Sequence, residues 1–470
     1  MLDTERTTLI LGSARRNRTG GITMKKLVAI VLCLCLALTM LTACGGANSS
    51  SQVGSTPTSA GSGQTKPLRW AIKASEAGRQ EIQNLIDLAA ENGIQVETVV
   101  LPDPAAGEAD KLLISLMGGE SFDLFMTAYA NAIPYYNAGV LEPLDSYAEQ
   151  AGYDVEKTFG QYPARFDDQL YGMPAFVDTA VTLYNKALFD KAGIPYPTAE
   201  NWTWEEFIRV GKQLTNEAEG IYGAFNPLWA HYNYMYAMQK GAEHYKADGT
   251  SNYDDPLFKE ALKFYYDLGN VEHVNPEYLV QKSKQMPLDY FTSGNIGMSV
   301  AGGWTTVWLT DTEKYPRDWK AGMLPMPYPE GEKPSTSVVV SNFYVPATSE
   351  QKELAFQCAA LFAENMYLMG GGRVPARVDL TDEEINSYIE SSLAPSLAND
   401  GITVEEIRAA WFNPEIRPFD EKVVGAAAAD INKAFMDEGG LYAIGEQDLD
   451  TTMANIKARA DKAIQDTAEQ

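Results

Sequence analysis

Two segments of this 470-residue chain carry aromatic side chains suited to ligand binding, the first at residues 225–236 and the second around residue 304. In the second segment Trp304 directly follows Gly302 and Gly303. Flat aromatic faces beside polar groups suit a ligand such as a sugar, which has apolar C–H faces and a ring of hydroxyls. The same rings could instead fill a hydrophobic core, although a core tryptophan would need no glycine pair for close backbone approach. The first segment holds five rings, those of Trp229, His231, Tyr232, Tyr234 and Tyr236.

The sequence lacks the common motifs of enzymatic chemistry. It has no nucleophile elbow, no His-Glu-x-x-His, no phosphate-binding Walker loop and no dinucleotide fingerprint. Three scattered histidines offer no metal-ligand spacing, so we expect neither a metal nor another cofactor. Two carboxylates suffice for glycoside hydrolysis, however, and a surface carbohydrate-active enzyme stays open as an alternative.

The charge balance is strongly acidic. The chain has 37 Lys and Arg against 63 Asp and Glu, a formal net charge of −26. Phosphate binding needs a basic surface, so we expect no nucleic-acid partner. The acidic surface leaves a cationic ligand open as an alternative.

The N-terminal segment has the pattern of a secretory signal peptide. Lys25 and Lys26 follow Met24 and precede an uncharged apolar run at residues 27–40, which is too short to span a bilayer. Leu41-Thr42-Ala43-Cys44 then resembles the bacterial lipoprotein processing site, in which the cysteine is acylated. We expect translation to begin at Met24, residues 1–43 to be removed, and Cys44 to carry the lipid that anchors the protein. The alternative is an ordinary signal peptide followed by a chance cysteine.

The rest of the chain divides into a linker and a large folded part. Residues 44–66 are small and polar, which predicts a lipidated flexible linker. About 400 residues follow, too many for one compact core, and they suit two lobes. Cys358 is left as a lone thiol within a helical apolar pattern, and we expect it to be a buried structural residue.

Local patterns predict an α/β fold. A strand at residues 68–74, a helix at 79–92 and a strand at 94–100 form a β-α-β unit, which implies a parallel sheet. Thr203 is the predicted N-cap of a later helix, with Glu206 as its capping-box partner and Trp202 packed on Phe207. Residues 448–468 predict a closing helix.

Five segments resemble, in the same order, the family 1 extracellular solute-binding proteins of ABC importers. The resemblance covers about residues 68–375 and thins from Val378 onward. Its most recognisable motifs are Gly118-Gly119-Glu120-Ser121-Phe122-Asp123-Leu124, Ala138-Gly139-Val140-Leu141-Glu142-Pro143-Leu144, Tyr171-Gly172-Met173-Pro174, Leu183-Tyr184-Asn185-Lys186, and Phe291-Thr292-Ser293-Gly294 followed by Gly302-Gly303-Trp304.

The resemblance implies a fold like that of periplasmic binding proteins. We expect a two-lobed α/β clamp of type II, with parallel-rich sheets flanked by helices and a hinge between the lobes. Lobe 1 would comprise residues 67–177 plus 328–372, and lobe 2 residues 178–327 plus 373–470. A ligand that contacts both lobes would favour the closed form.

The same resemblance implies a function in solute import rather than catalysis. We expect a monomer, lipid-anchored on the extracellular or periplasmic side of the cell membrane, that passes a small-molecule solute to the permease subunits of an ABC transporter. The maltose and multiple-sugar binders of the family point to a carbohydrate, specifically an oligosaccharide. The alternative within this fold is a non-sugar solute.

Eight residues are candidate ligand contacts. Tyr129 and Asn131 follow a predicted strand at its carboxyl end, where open α/β sheets form ligand crevices. Asp178 lies at the implied crossover between lobes, where the family often carries a carboxylate, although a solvated loop aspartate is the alternative. In resembling proteins the aromatic segment lines the cleft. The full set is Tyr129, Asn131, Asp178, Trp229, Tyr232, Trp304, Phe343 and Arg373.

Overall fold

The computed structural model describes residues 66–103, 110–370 and 373–468. The predicted signal peptide, the acylation site Cys44 and the linker as far as residue 65 lie outside these ranges, so those predictions stay predictions. Within the described ranges, no helix has the length and apolar character that crossing a membrane requires.

The strands of the described residues join in one mixed sheet. They are β1 (Leu68–Lys73), β2 (Val96–Leu101), β3 (Leu124–Ala128), β4 (Ala164–Phe166), β5 (Gln169–Asn185), β6 (Tyr222–Ala224), β7 (Ile296–Gly302), β8 (Ala321–Pro325), β9 (Ser335–Tyr344), β10 (Val374–Pro375) and β11 (Arg417–Asp420).

Helices flank the strands along the whole described chain. They are α1 (Gln80–Glu91), α2 (Lys111–Met117), α3 (Tyr129–Asn137), α4 (Asp145–Ala151), α5 (Val155–Phe159), α6 (Lys186–Ala192), α7 (Trp204–Leu214), α8 (Met235–Gln239), α9 (Pro256–Asn270), α10 (Tyr278–Lys284), α11 (Val307–Thr310), α12 (Lys352–Asn365), α13 (Asp382–Tyr388), α14 (Ala394–Leu397), α15 (Val404–Trp411), α16 (Ala428–Ala443) and α17 (Leu449–Ala468).

The sheet begins as the sequence predicts and then changes direction. β1 pairs in parallel with β2 and β3, which confirms the β-α-β start. Along the sheet the order is β2-β1-β3-β9-β5-β7-β6, and β9 and β5 run antiparallel to their neighbours on this path. The middle of the sheet is therefore antiparallel, whereas parallel-rich sheets were expected.

The long strand β5 links two hydrophobic regions. Its first part pairs with β9, and from Ala180 onward it pairs with β7 and β8. In the described chain, buried apolar side chains form four clusters. Two of them include β5 residues up to Val177, and we call these two the first hydrophobic region. The other two include β5 residues from Ala180 on, and they form the second hydrophobic region. Asp178 lies between these regions. The proposed lobe boundaries themselves stay a prediction.

Local expectations at α7 hold in part. The Thr203 hydroxyl accepts the N–H of Glu206, and the rings of Trp202 and Phe207 lie 6.0 Å apart, so the N-cap and the staple are confirmed. The Glu206 carboxylate instead accepts hydrogen bonds from Arg209, so the reciprocal half of the capping box is wrong. An ion pair with Arg209 in the next turn competes successfully for that side chain.

Two other expectations are confirmed. Cys358 is fully buried in α12, and burial raises the pKa of its thiol to about 12, which makes it unreactive. The C-terminal helix is present as α17, and it packs against α16 in the second hydrophobic region.

Candidate ligand-binding site

Asp178 and Trp304 meet where β7 ends beside the middle of β5. Asp178 lies on β5, and two residues later Ala180 pairs with Gly302, the last residue of β7. The chain then enters a short 3-10 helix, Gly303–Thr306, which carries Trp304. The backbone N–H of Trp304 donates a hydrogen bond of 3.0 Å to Oδ1 of Asp178. The carboxylate is thereby held against the backbone that carries the indole ring.

The glycine pair makes this contact possible. A Cβ atom on Gly302 would lie 2.7 Å from Cδ1 of Trp304 and 3.1 Å from Oδ2 of Asp178. A Cβ atom on Gly303 would lie 3.2 Å from Oδ1 of the same carboxylate. Carbon atoms in favourable contact are roughly 3.5–4.0 Å apart, so a side chain at position 302 would displace the indole. The sequence Gly-Gly-Trp thus reflects close packing of backbone against these two side chains.

The surroundings of Asp178 raise the pKa of its carboxyl group to about 7. Loss of solvation on burial is the main cause, and the negative charge of Glu421 adds to it. The charges of Arg373 and Lys422 and the N–H of Trp304 oppose the shift. Asp178 consequently changes from proton donor to charged acceptor close to neutral pH.

Trp304 forms an aromatic wall with Trp229. Their ring centroids lie 6.3 Å apart with an interplanar angle of 37°. Tyr232 stacks on Trp229 at 6.3 Å and on Tyr265 at 5.6 Å, and its hydroxyl donates to the carbonyl of Val300. Because Tyr232 is only 5% exposed, it supports Trp229 within the core and does not line the cavity beside the tryptophans.

A cavity of about 510 Å³ lies beside the two tryptophans, and we call it the central pocket. This volume is within the usual range of small-molecule sites. The pocket combines the flat apolar faces of two tryptophans with acidic and basic side chains that can form hydrogen bonds. Its walls include Asp178, Trp229, His231, Trp304, Glu421 and Lys422.

His231 is a neutral member of this wall. Its Nδ1 lies 3.9 Å from Oε1 of Glu421, and Nζ of Lys422 lies 3.8 Å from the same oxygen. Burial lowers the pKa of His231 to about 4; the charge of Glu421 opposes this shift, and that of Lys422 adds to it. At neutral pH the imidazole therefore carries one donor and one acceptor nitrogen. The residue is only 6% exposed.

Glu421, Lys422 and Asn432 also line the central pocket, although no sequence pattern predicts them there. The first two follow β11, whose Asp420 pairs in parallel with Val338 of β9. The resemblance thins before this segment, and a run of charged residues is typical of a solvated loop. Only the strand pairing brings these side chains to the central pocket.

Tyr129 lies in an adjoining cavity of about 310 Å³, the Tyr129 pocket, which shares Glu421 and Lys422 with the central pocket. The Tyr129 hydroxyl donates to the carbonyl of Arg165 at 3.0 Å, and its ring stacks on Phe166 at 5.1 Å. The ring edge is thus held in place at the pocket wall.

Asn131 lies in a wider cavity of about 1050 Å³, the Asn131 pocket. This pocket shares Lys422 and Asn432 with the central pocket. It also includes Lys73 of β1 and Thr127 of β3, two strands whose apolar side chains belong to the first hydrophobic region. The three pockets therefore adjoin one another along a cleft lined from both regions.

Arg373 lies beside the cleft rather than in the central pocket. Its guanidinium lies 4.3 Å from the ring centroid of Phe176 and 3.9 Å from the carboxylate of Glu81. It acts on Asp178 through its charge, and it lines a further pocket that also includes Trp304.

Phe343 is not brought to the cleft. It is fully buried, with ring centroids 6.1 Å from Trp70 and 5.6 Å from Phe362. β9 is covered on both faces near its end, so the residue pattern does not distinguish a cleft face from a core face. We leave Phe343 out of the site.

The described part of the chain contains no group of three His, Cys, Asp or Glu residues placed to hold a metal ion. The groups of the central pocket are suited to hydrogen bonding and stacking.

Comparison with known proteins decides the family. The model of the bacterial extracellular solute-binding protein family matches residues 73–371, well over half of the chain. The chain belongs to this family. The fold of this solute-binding protein is accordingly the two-lobed α/β clamp, with β5 running through both hydrophobic regions.

Curated relatives match parts of this solute-binding protein. A binding protein of Brucella abortus (strain 2308) is 29% identical over 196 residues, which cover 40% of this chain and 46% of that protein. The arabinooligosaccharide-binding protein of Halalkalibacterium halodurans is 29% identical over 170 residues, 35% of this chain and 37% of that protein. The chain thus spans less than half the length of these relatives.

A solved structure extends the likeness of fold. The ABC substrate-binding protein Lmo0181 from Listeria monocytogenes, in complex with cycloalternan, is similar with a TM-score of 0.70 at 23% identity. The match covers 85% of this chain and 99% of that chain. At this level of identity the likeness supports the shared clamp architecture.

Proposed function

We propose that this solute-binding protein captures a carbohydrate, specifically an oligosaccharide, in the cleft around Asp178 and Trp304, and delivers it to an ABC importer. The observation that carries the proposal is the hydrogen bond of 3.0 Å from the Trp304 N–H to Asp178, because it holds a stacking surface and a hydroxyl acceptor in one fixed arrangement. Sugar recognition needs both.

The charges of the cleft favour a neutral ligand over a cationic one. Arg373 acts on Asp178, and Lys422 lies 3.8 Å from Glu421, so each carboxylate already has a cationic neighbour. The neighbouring His231 is uncharged. A polyhydroxylated neutral molecule can use such balanced donors and acceptors, whereas a polyamine would need carboxylates without competing cations.

The related proteins point the same way. The relative in Halalkalibacterium halodurans is named for arabinooligosaccharides, and the Listeria monocytogenes structure contains cycloalternan. The family consists of binding proteins, which favours capture over turnover. We therefore propose binding without catalysis.

Delivery to the importer would depend on closure of the clamp. The cleft is lined from both hydrophobic regions, so a ligand between them would contact both and favour the closed state. We propose lobes of residues 67–177 plus 328–372 and of residues 178–327 plus 373–470, with β5 and β9 as the hinge. The closed monomer would be the form that the permease subunits bind.

We further propose that the protein acts outside the cell membrane, tethered by an acylated Cys44 through the linker at residues 44–66. The signal-peptide pattern and the lipoprotein-like site Leu41-Thr42-Ala43-Cys44 support this location. Tethering would keep the binding protein near its permease.

The test is an unbiased screen followed by titration. A thermal-shift screen over arabino-, malto-, galacto- and chito-oligosaccharides, amines and peptides should raise the melting temperature only with saccharides, since a ligand that binds only the folded state stabilises it. Calorimetry should then give one site per chain, and the bound saccharide should be recovered unchanged. Stabilisation by amines or peptides alone, or cleavage of the saccharide, would refute the proposal.

A further inference from the structure

The chain at residues 226–233 brings Trp229 and His231 to the central pocket, and we call it the Trp229 segment. It follows β6 and ends in a short 3-10 helix, Ala230–Asn233. The segment is buried except at positions 228–230, which are partly exposed. Buried backbone groups in an irregular segment need hydrogen-bond partners that a sheet or a long helix would otherwise supply.

Side chains from outside the segment supply such partners near its start. The hydroxyl of Tyr265, on α9, donates to the carbonyl of Pro227 at 2.7 Å. Oδ1 of Asn275 accepts the backbone N–H of Asn226 at 2.8 Å, and its Nδ2 donates to the Asn226 carbonyl at 3.4 Å. Tyr265 and Asn275 are both buried. Their polar groups are therefore directed at the backbone of the Trp229 segment instead of at solvent.

The contact with Pro227 acts directly on the tryptophan. The backbone N–H of Trp229 donates to the carbonyl of Pro227 at 2.8 Å, so this oxygen accepts from Trp229 and from the Tyr265 hydroxyl together. The ring of Tyr265 also stacks on Tyr232, which in turn stacks on Trp229. Tyr265 thus supports Trp229 through its backbone and through a stack of rings.

Asn233 holds the other side of Trp229. This residue is fully buried, and its Nδ2 donates to the carbonyls of Trp229 at 3.3 Å and of Ala230 at 3.0 Å. The backbone of Trp229 is therefore bound on both sides by buried polar side chains. An aromatic anchor that is ordered before the ligand arrives reduces the entropy lost on binding.

We infer that Tyr265 and Asn233 are positioning residues of the ligand site, which hold the indole of Trp229 beside that of Trp304. Neither of them lines the central pocket, so each acts through Trp229. This inference rests on the proposed function and adds to it the residues that keep one wall of the site in place.

Tyr265→Phe is the main test, because it removes the hydroxyl and keeps the ring that stacks on Tyr232. Asn233→Ala tests the second contact. Tyr253→Phe is the matched control, since it removes a buried hydroxyl that lies 3.0 Å from Nδ1 of His244. It should lower the melting temperature as a lost buried hydrogen bond does, without acting on the Trp229 segment.

Hydrogen–deuterium exchange of the free protein measures the segment directly. Exchange of the amides at residues 226–233 should be at least about threefold faster in Tyr265→Phe and in Asn233→Ala than in the parent, because fewer contacts oppose local opening. Tyr253→Phe should exchange there at the parent's rate.

Calorimetry with di- to hexasaccharides of the arabino-, malto-, galacto- and chito- series measures affinity. For the saccharide that the parent binds best, Tyr265→Phe should lose at least about threefold, and Tyr253→Phe should stay within about twofold. Tyr265→Phe/Trp229→Ala should bind within about twofold of Trp229→Ala, because the hydroxyl acts through that ring.

The outcomes separate the two proposals. Unchanged exchange in the segment, parent-like affinity in Tyr265→Phe, an equal loss in Tyr253→Phe, or additive losses in the double variant overturns the positioning role while carbohydrate binding stands. Failure of the parent to bind any saccharide of the four series overturns the proposed function, and the role of these residues in it.

Discussion

Asp178 and Trp304 are joined by a hydrogen bond of 3.0 Å from the backbone N–H of the tryptophan to the carboxylate of the aspartate. The carboxylate is therefore linked directly to the backbone that carries the indole ring. For variants of either residue, ligand affinity and folding stability should therefore be measured separately.

Trp304→Ala should weaken binding of the best saccharide by about 2 kcal/mol or more, roughly thirtyfold, because it removes a central aromatic anchor. The measurement is calorimetric titration. Tyr196→Ala is the control, since Tyr196 is 43% exposed and does not line the three cleft pockets. Normal affinity in Trp304→Ala, or a loss explained only by a much lower melting temperature, would make this residue part of the core.

Ligand affinity should rise with pH through about pH 7. The pKa of Asp178 is raised to about 7, and only its ionised form is a charged acceptor for sugar hydroxyls. Titrations from pH 5.5 to 8.5 should give this rise in the parent, and Asp178→Asn should abolish it. At pH 8 Asp178→Asn should lose less affinity than Asp178→Ala, because the amide keeps an acceptor oxygen. A pH profile shared by parent and Asp178→Asn would contradict the assigned role.

Asp178 should also affect folding stability, with a definite sign. Its ordinary pKa is 3.8 and its folded pKa is about 7, so between these values the folded state keeps a proton that the unfolded chain releases. The contribution of Asp178 to the free energy of unfolding therefore falls as pH rises from about 4 to about 7. The melting temperature of Asp178→Asn minus that of the parent should be more positive at pH 8 than at pH 4.5.

His231 provides a contrast of opposite sign. Burial lowers the pKa of its imidazole to about 4, so the unfolded chain binds the extra proton between about pH 4 and pH 6.5. The contribution of His231 to stability should rise with pH over that window. The melting temperature of His231→Gln minus that of the parent should accordingly fall from pH 4.5 to pH 6.5, and a change in the same direction as Asp178→Asn would contradict the linkage.

Gly302→Ala should reduce affinity by displacing the indole of Trp304, since the new Cβ would lie 2.7 Å from Cδ1 of that ring. Because the effect acts through Trp304, the double variant Gly302→Ala/Trp304→Ala should bind hardly worse than Trp304→Ala alone. Calorimetry on the three variants gives this coupling. Simple additivity of the two losses would mean that the glycine acts by another route.

Cys44→Ala should release the protein from membranes or stall its processing, because acyl chains on this cysteine would hold it at the bilayer. Fractionation of cells expressing parent and variant measures this, and mass spectrometry of the parent identifies the acylated N-terminus. A variant that is processed and membrane-bound like the parent would contradict acylation of Cys44 as the anchor.

Elements governed by near neighbours were predictable. The start β1-α1-β2 follows from residue periodicity, and Thr203 caps α7 as its position predicts. Where a second local partner competed, the prediction failed: the Glu206 carboxylate binds Arg209 instead of the cap. Sequence patterns report spacing along the chain and do not rank competing partners for one side chain.

The residues that line the central pocket were predictable where a motif marks them. Gly302, Gly303 and Trp304 form such a motif, and Asp178 lies at a crossover that the family pattern implies. No comparable motif marks the position of Phe343, because it belongs to a strand that is buried on both sides. The structure places its ring between Trp70 and Phe362.

The sequence by itself determined the α/β character, the aromatic and carboxylate groups of the cleft, and the family to which they belong. Tertiary structure alone decided that Glu421 and Lys422 face Asp178, because β11 pairs with β9 across about eighty residues of chain. It also decided that the pKa of Asp178 is about 7, since desolvation depends on everything packed around the carboxyl group. Strand pairing and burial depend on contacts between residues that are distant in sequence, so a local sequence pattern cannot predict them.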